Sequence, residues 1–194
     1  YMGAPYGAMI LESLIARGGN KIIVVGWCGA VTSGLHVGDI VIAERAIVDE
    51  GTSMNYISLD PEMPCSYPDK EWTARVYEWM RHRAAEECSS NGSDDGEIRV
   101  SRETIWTTDA IYRETPKKVA FFRQLGAGVV EMECSALFSV AHYRGVQIAA
   151  VLVVSDSVAS RRWQPGFRKK QFKKGRQMAC RSGFDFLVNW EANG

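Results

Sequence analysis

Residues 146–156, VQIAAVLVVSD, form an apolar run interrupted at Gln147 and closed by Ser155 and Asp156. A run this long and this β-branched reads as a strand covered on both faces, because a strand with one wet face alternates polar and apolar side chains. A second run, KIIVVG at 21–26, has the same character and stops at a glycine. Strands covered on both faces need helices on both faces, and the intervening segments supply them. Apolar residues at helical spacing occupy 9–19, ending in Gly18-Gly19, and 71–88, where Trp72, Val76, Trp79, Met80 and Ala84 fall in register. Thr115-Pro116 is a good N-cap and N1 pair for a helix reaching Leu125. A further helix is expected at 133–144, closed by Gly145, and 167–190 reads as helical in part. Strands are expected at 38–48, 98–106 and 126–130, and a polar surface loop at 89–97. This alternation predicts an α/β fold: a three-layer α/β/α sandwich around a mixed, mostly parallel central sheet, with residues 1–194 forming one domain.

Composition narrows the function. The formal net charge is zero, which removes any overall bias toward nucleic acid or anionic membrane. No apolar run approaches the roughly 20 residues of a membrane span, and no secretory signal is expected. Five cysteines without close pairs read as reduced thiols of a cytoplasmic protein. His36, His82 and His142 stand far apart, so no metal site is expected. The chain begins at Tyr1 and enters a helical pattern almost at once, so a preceding segment is expected.

Open α/β sheets bind ligands beyond the carboxyl ends of their strands. Three polar or glycine-bearing stretches fall at expected strand ends: GWCGAV (26–31), VEME (130–133) and SDS (155–157). Asp156 ends an apolar strand, where poor solvation would favour its neutral form and suit a general acid; it is otherwise a helix N-cap or loop aspartate. Glu131 and Glu133 point the same way if still on a strand. One of them can accept two sugar hydroxyls, whose hydrogen bonds strengthen as positive charge develops on the ring; both can instead favour the positive end of a helix. Met132 fits a sugar face or fills core. The glycines of GWCGAV allow close backbone approach to a ligand, or mark a tight bend. Residues 161–181 hold nine Lys/Arg and no acid. Such a run is a solvated face, a polyanion surface, or the source of an arginine paired with Asp156, with Arg161, Arg162 and Arg168 as candidates. Trp163 beside it can stack on a base, but one aromatic is not a platform.

In this order the stretches resemble the nucleoside phosphorylase family, which includes hexameric purine nucleoside phosphorylases, uridine phosphorylases and related nucleosidases. GAPYGAMILESLIARGGNKIIVVGWCGAV resembles the block from that family's Gly-x-Pro turn to its phosphate loop. TTDAIYRETP is similar to the base-binding stretch, VVEMECSALFSVA to the ribose motif, and VVSDS to the catalytic Ser-Asp motif. The resemblance covers residues 2–160 and implies roles. Asp156 would serve the leaving base. Glu133 would hold the ribose hydroxyls, with Met132 and Met2 against the sugar. Val130, Ile111 and Tyr112 would border the base, and Glu131 would be a base neighbour or structural. Gly26, Trp27 and Cys28 would offer backbone amides to phosphate as an anion nest. The implied reaction is attack of phosphate on a nucleoside, with phosphate as co-substrate, no cofactor, and a homo-oligomeric enzyme. Nucleic acid and membrane are not expected partners.

The pattern also departs from the family. Phosphorylases carry an arginine in the strand before the glycine loop and a serine or threonine after its first glycine; here Val24 and Trp27 stand there. The family's other phosphate ligands, with a central strand, lie N-terminal to Tyr1, so an incomplete sheet is expected. Nucleosidases, which use water, lack that arginine as well. The residues that read uracil are absent after Tyr112, where Arg113-Glu114-Thr115 stands, which points to a purine. Two classes therefore remain: an enzyme cleaving an N-glycosidic bond by phosphate or water, and a nucleoside-binding relative without catalysis.

Overall fold

A computed structural model describes residues 3–90, 97–160 and 162–193. Their elements in order are α1 (Ala4–Ile15), β1 (Lys21–Ala30), β2 (Ile40–Asp49), β3 (Cys65–Ser66), α2 (Lys70–Ser90), β4 (Val100–Thr108), α3 (Pro116–Gln124), β5 (Ala127–Glu131), α4 (Cys134–Arg144), β6 (Gln147–Ser157), β7 (Gln164–Pro165) and α5 (Lys170–Asn193). Short 3-10 turns lie at Ser53–Asn55 and Ile111–Arg113. The expected loop at 89–97 falls mostly outside the described residues, and Ser89 and Ser90 belong to α2.

Among the described residues seven strands form one sheet in the order β3-β2-β4-β5-β1-β6-β7. The long ladders β1–β6, β2–β4 and β4–β5 are parallel, whereas β1–β5, β2–β3, β2–β6 and β6–β7 are antiparallel. The β2–β6 pairing, Ile40↔Val153 to Ile42↔Val151, joins strands that already stand at opposite ends of β2-β4-β5-β1-β6. The five strands β2, β4, β5, β1 and β6 therefore curl into a closed ring, with the two-residue strands β3 and β7 at its margins. The coarse expectation of a mixed sheet with helices against it is met; an open middle layer is not what these strands make.

Strand β6 shows how one run of apolar residues serves two helical faces. Ile148, Ala150, Leu152 and Val154 pack with α1 and α4, through Leu11, Leu137 and Phe138. Ala149, Val151 and Val153 pack with α2 and α5, through Val76, Met80, Phe172 and Phe186. A third cluster sets Val119 and Phe122 of α3 against Trp106 and Val130. The two largest side chains of α2 also spend their polar edges well: the indole of Trp72 donates to the Ile22 carbonyl at 2.9 Å, and that of Trp79 to Ser182 at 2.9 Å. Among the described residues no helix is long and apolar enough to cross a membrane.

Local signals place the helix ends. Thr115 caps α3, its hydroxyl accepting from the Lys118 amide at 3.3 Å, with Pro116 in the first turn. Gly145 closes α4 at φ 67°, a left-handed conformation that favours glycine. Helix α1 starts earlier than its periodicity suggests, at Ala4, with Pro5 in its first turn. The largest difference is in β1, which runs through Gly26 and Trp27 to Ala30 instead of stopping at Gly26. Its ladder to β6 continues with Gly26↔Leu152, Trp27↔Val153 and Cys28↔Val154. A Cβ at position 26 would come within 3.2 Å of Leu152 Cδ2, so this glycine marks a close side-chain approach inside a strand and not a turn.

Candidate active site

Gly29 is the pivot of the candidate site. A register shift between Cys28 and Gly29 sets Gly29 opposite Asp156 on β6, while its other side faces Val130 on β5. A Cβ at position 29 would lie 3.3 Å from both Asp156 Oδ2 and Val130 Cγ1. Asp156 and the end of β5 are thus two strand spacings apart, about 10 Å. They do not meet as parallel carboxyl ends: β5 crosses β1 antiparallel, at Gly29↔Val130 and Ala30↔Val129. Buried Cys28 feels the charges of both Glu131 and Asp156, and buried Cys134 those of Glu131 and Glu133. Burial, above all, pushes both thiols well up. The carboxylates at 131, 133 and 156 therefore share one neighbourhood, although Glu133 and Asp156 make no direct contact.

The two glutamates do different things. Glu131 is 6% exposed. One of its oxygens accepts from the Thr107 hydroxyl at 2.5 Å, the other from the amides of Glu133 at 2.7 Å and Cys134 at 2.8 Å. These amides open α4 and have no partner within the helix, so Glu131 caps α4 from the strand before it. Burial pushes its carboxyl up to about 7, against the pull of the Thr107 hydrogen bond and with a contribution from Glu133. Thr107 in turn accepts from the Ser135 amide at 3.0 Å, and Ser135 Oγ donates to Glu50 at 3.0 Å. Glu133 occupies the N-cap position of α4 without capping it. It is half-buried, and its carboxylate accepts from the Gly3 amide, which ties the start of α1 to this junction. Burial raises its carboxyl, opposed by that amide.

Asp156 is half-buried, less enclosed than the end of an apolar strand suggests. Ser155 Oγ lies 2.6 Å from its Oδ1, and the Trp163 indole donates to its Oδ2 at 2.6 Å. Among the described residues no Lys or Arg pairs with Asp156. Arg162 and Arg168 are exposed, and Arg161 lies outside the described residues. Most of the basic run lines the exposed side of α5, as a solvated face would, and Arg176 stands over Trp27 at 5.9 Å. Trp163 is thus a partner of the acid and not a base platform, a contact that residue spacing does not reveal.

The remaining expected residues separate. Met132 is half-buried beside the glutamates. Val130 is core, 3% exposed. Ile111 is 52% exposed and Tyr112 97%, so they border open surface and not an enclosed base pocket. Met2 lies outside the described residues. The expected anion nest at Gly26, Trp27 and Cys28 is not formed: nests need turn-like backbone, and these residues are ladder. The Trp27 side chain leaves for the α5 face, 5.2 Å from Phe172 between ring centroids, while Cys28 points into the core. Val24, also core, offers no charge to an anion. Glu114, which residue spacing did not single out, follows the Ile111–Arg113 turn and is half-buried. Burial, with the charge of Asp156 and against that of Lys118, pushes it up to about 7. Among the described residues no group of three or more His, Cys, Asp or Glu is arranged to hold a metal. Cavities of 190 and 420 Å³ lie elsewhere, one beside His36, Arg99 and Lys174, the other beside Arg83, Gln177 and Arg181.

Comparison with known proteins bears on the family and the fold. A profile of the phosphorylase superfamily matches residues 1–187. The chain is 30% identical over 159 residues to a guanosine phosphorylase of Halorubrum lacusprofundi, covering 82% of this chain and 59% of that protein. It is 29% identical over 158 residues to a DeoD-type purine nucleoside phosphorylase of Bacillus cereus, covering 81% and 61%. The chain thus spans about three-fifths of the length of these relatives. The purine nucleoside phosphorylase of Toxoplasma gondii, solved with immucillin-H, superposes with a TM-score of 0.77 at 18% identity, over 100% of this chain and 73% of that one, a likeness of fold. By sequence and by fold, the chain belongs to the phosphorylase superfamily.

Proposed function

We propose that the protein is a nucleoside phosphorylase that cleaves the N-glycosidic bond of a purine nucleoside with phosphate, giving free base and pentose 1-phosphate. The observation that carries this reading is that Gly29 has Asp156 on one side and Val130, three residues before Glu133, on the other, in a phosphorylase-superfamily chain. Glu133 grips the ribose hydroxyls, with Met132 beside the sugar. Asp156 serves the departing base, which Ile111 and Tyr112 border. Stabilising the transition state asks for such a division, one carboxylate for the sugar and another group for the leaving base. The guanosine and purine nucleoside specificities named for the two relatives support a purine. Phosphate is the co-substrate, and no cofactor takes part. The enzyme is cytoplasmic and homo-oligomeric; the exposed apolar side chains of Tyr6, Met9 and Leu14 on α1 are a surface suited to a second copy.

Hydrolysis is the second reading. Val24 is buried in β1 where phosphorylases carry an arginine, and Gly26–Cys28 is ladder where an anion nest was expected. Water needs neither. The deciding experiment incubates the full-length protein with inosine, adenosine, uridine and methylthioadenosine, with and without phosphate. Phosphate-dependent release of purine bases is the expected result. Release without phosphate makes the protein a nucleosidase, and binding without release makes it a nucleoside-binding relative.

A further inference from the structure

We propose that Glu50 is a positioning residue for Glu133, whose carboxylate it sets in place through Ser135. This rests on the reading that Glu133 grips the ribose hydroxyls, and it assigns to that reading the group that holds Glu133 in register. Glu133 lies between two fixed points of the chain. On one side Glu131 Oε2 accepts from the Glu133 amide at 2.7 Å and from the Cys134 amide at 2.8 Å. On the other side Ser135 is held twice, its amide donating to Thr107 Oγ1 at 3.0 Å and its hydroxyl to Glu50 Oε1 at 3.0 Å. The Thr107 hydroxyl in turn donates to Glu131 Oε1 at 2.5 Å. Ser66 Oγ adds a tie from β3, donating to the Ser135 carbonyl at 2.8 Å. The backbone that aims Glu133 is thus strung between β5, β4 and the residue that follows β2.

Glu50 is itself held firmly enough to act as a strut. Its Oε2 accepts from the Thr52 amide at 2.5 Å, and its two oxygens lie 3.2 and 3.3 Å from the Ser53 amide. Thr52 and Ser53 open the Ser53–Asn55 turn, so the same carboxylate caps that turn and reaches across to α4. Ser135 is wholly buried. A buried serine hydroxyl that loses its acceptor competes for carbonyls of its own helix, which disturbs the turn it stands on. Glu133 is the N-cap residue of that turn and moves with it. A carboxylate that must accept two sugar hydroxyls has to be placed to within about 0.5 Å, and an error of about 1 Å can cost about 10²-fold in rate.

The test compares full-length wild type, Glu50→Ala, Glu50→Gln, Ser135→Ala and the double variant Glu50→Ala/Ser135→Ala on inosine and on 2′-deoxyinosine, which lacks one of the hydroxyls assigned to Glu133. Glu50→Ala is expected to lower kcat/KM on inosine by about tenfold or more. It should also lower the ratio of kcat/KM for inosine to that for 2′-deoxyinosine by about fivefold or more. A merely structural role removes active molecules, which lowers kcat on both substrates alike and leaves that ratio where it was. Glu50→Gln keeps an oxygen for the Ser135 hydroxyl and should hold the ratio within about twofold of wild type. Ser135→Ala should shift it as Glu50→Ala does, and the double variant no further, because both changes cut one path. Ser135→Ala carries the test where Glu50→Ala does not fold. The proposal is overturned if the single alanine variants keep the wild-type ratio, or if the double variant multiplies their effects.

Amide hydrogen exchange without nucleoside separates this proposal from the reading it rests on. In Glu50→Ala the amides of Glu133, Cys134 and Ser135 should exchange about tenfold faster or more than in wild type. Protection equal to wild type at these three amides overturns the positioning role. A wild type that cleaves neither nucleoside overturns the glycosidic reading instead, and the exchange then decides the positioning alone.

Discussion

The β5–α4 junction and the end of β6 each present a carboxylate, and they use it in opposite ways. At the junction Glu131 is buried and accepts three hydrogen bonds from the protein itself. At the end of β6, Asp156 is half-buried and held by side chains that can let go, a serine hydroxyl and an indole that is 58% exposed. The first arrangement anchors a helix; the second leaves an acid where a ligand can reach it. Position at the end of a strand is common to both, so it does not by itself mark a catalytic group. What separates them is who supplies the hydrogen bonds.

The largest expected effect follows from removing the anchor. Glu131→Ala leaves two helix-opening amides and the Thr107 hydroxyl without their acceptor in a buried place, and should cost about 3 kcal/mol or more in denaturant unfolding. A loss under about 1 kcal/mol would erase the contrast, because it would make Glu131 as dispensable as a surface acid. Next comes pH. The folded state raises Glu131 to about 7, above its ordinary glutamate value, so its neutral form is the one that folding favours. Stability from this group is complete below that ordinary value and is lost as pH rises through about 7. Glu114 acts in the same direction, more weakly because it is partly solvated. Unfolding free energies at pH 5 and pH 8 should differ by about 2 kcal/mol, lower at pH 8, and most of the difference should vanish in Glu131→Gln. Stability that climbs with pH over this interval would contradict the assignment.

The smallest stability effect belongs to the other region. Trp163→Phe should cost less than about 1 kcal/mol, since the ring is exposed and one hydrogen bond is lost. The same change should slow base release by about tenfold, the worth of a single charge-assisted hydrogen bond to Asp156. A variant that melts early yet keeps its rate would reverse the comparison, with Trp163 serving the fold and not the acid.

Elements with a local cause could be read from the chain. Thr115-Pro116 and Gly145 set helix ends through their own backbone preferences, and the apolar run to Asp156 is a strand because little else can accommodate it. Neighbours decided the rest. Gly26 read as the end of β1, but the waiting edge of β6 carries the strand on to Ala30 and leaves no turn for an anion. Closure of the ring needs β2 to meet β6, a pairing that no segment signals alone. The site divides the same way. Glu133 and Asp156 stand out because a carboxylate at the end of an apolar run is conspicuous. Trp163 does not, since it gains its meaning from Asp156, on another element and invisible from local sequence.

The most direct test is the rate of purine base release by full-length Asp156→Asn relative to wild type under saturating inosine. The substitution keeps the shape of the side chain and removes its charge. If the end of β6 carries the chemistry, the rate should fall by about 10²-fold or more while the melting temperature stays close to wild type. A rate within about twofold of wild type would place the reaction somewhere other than this rim.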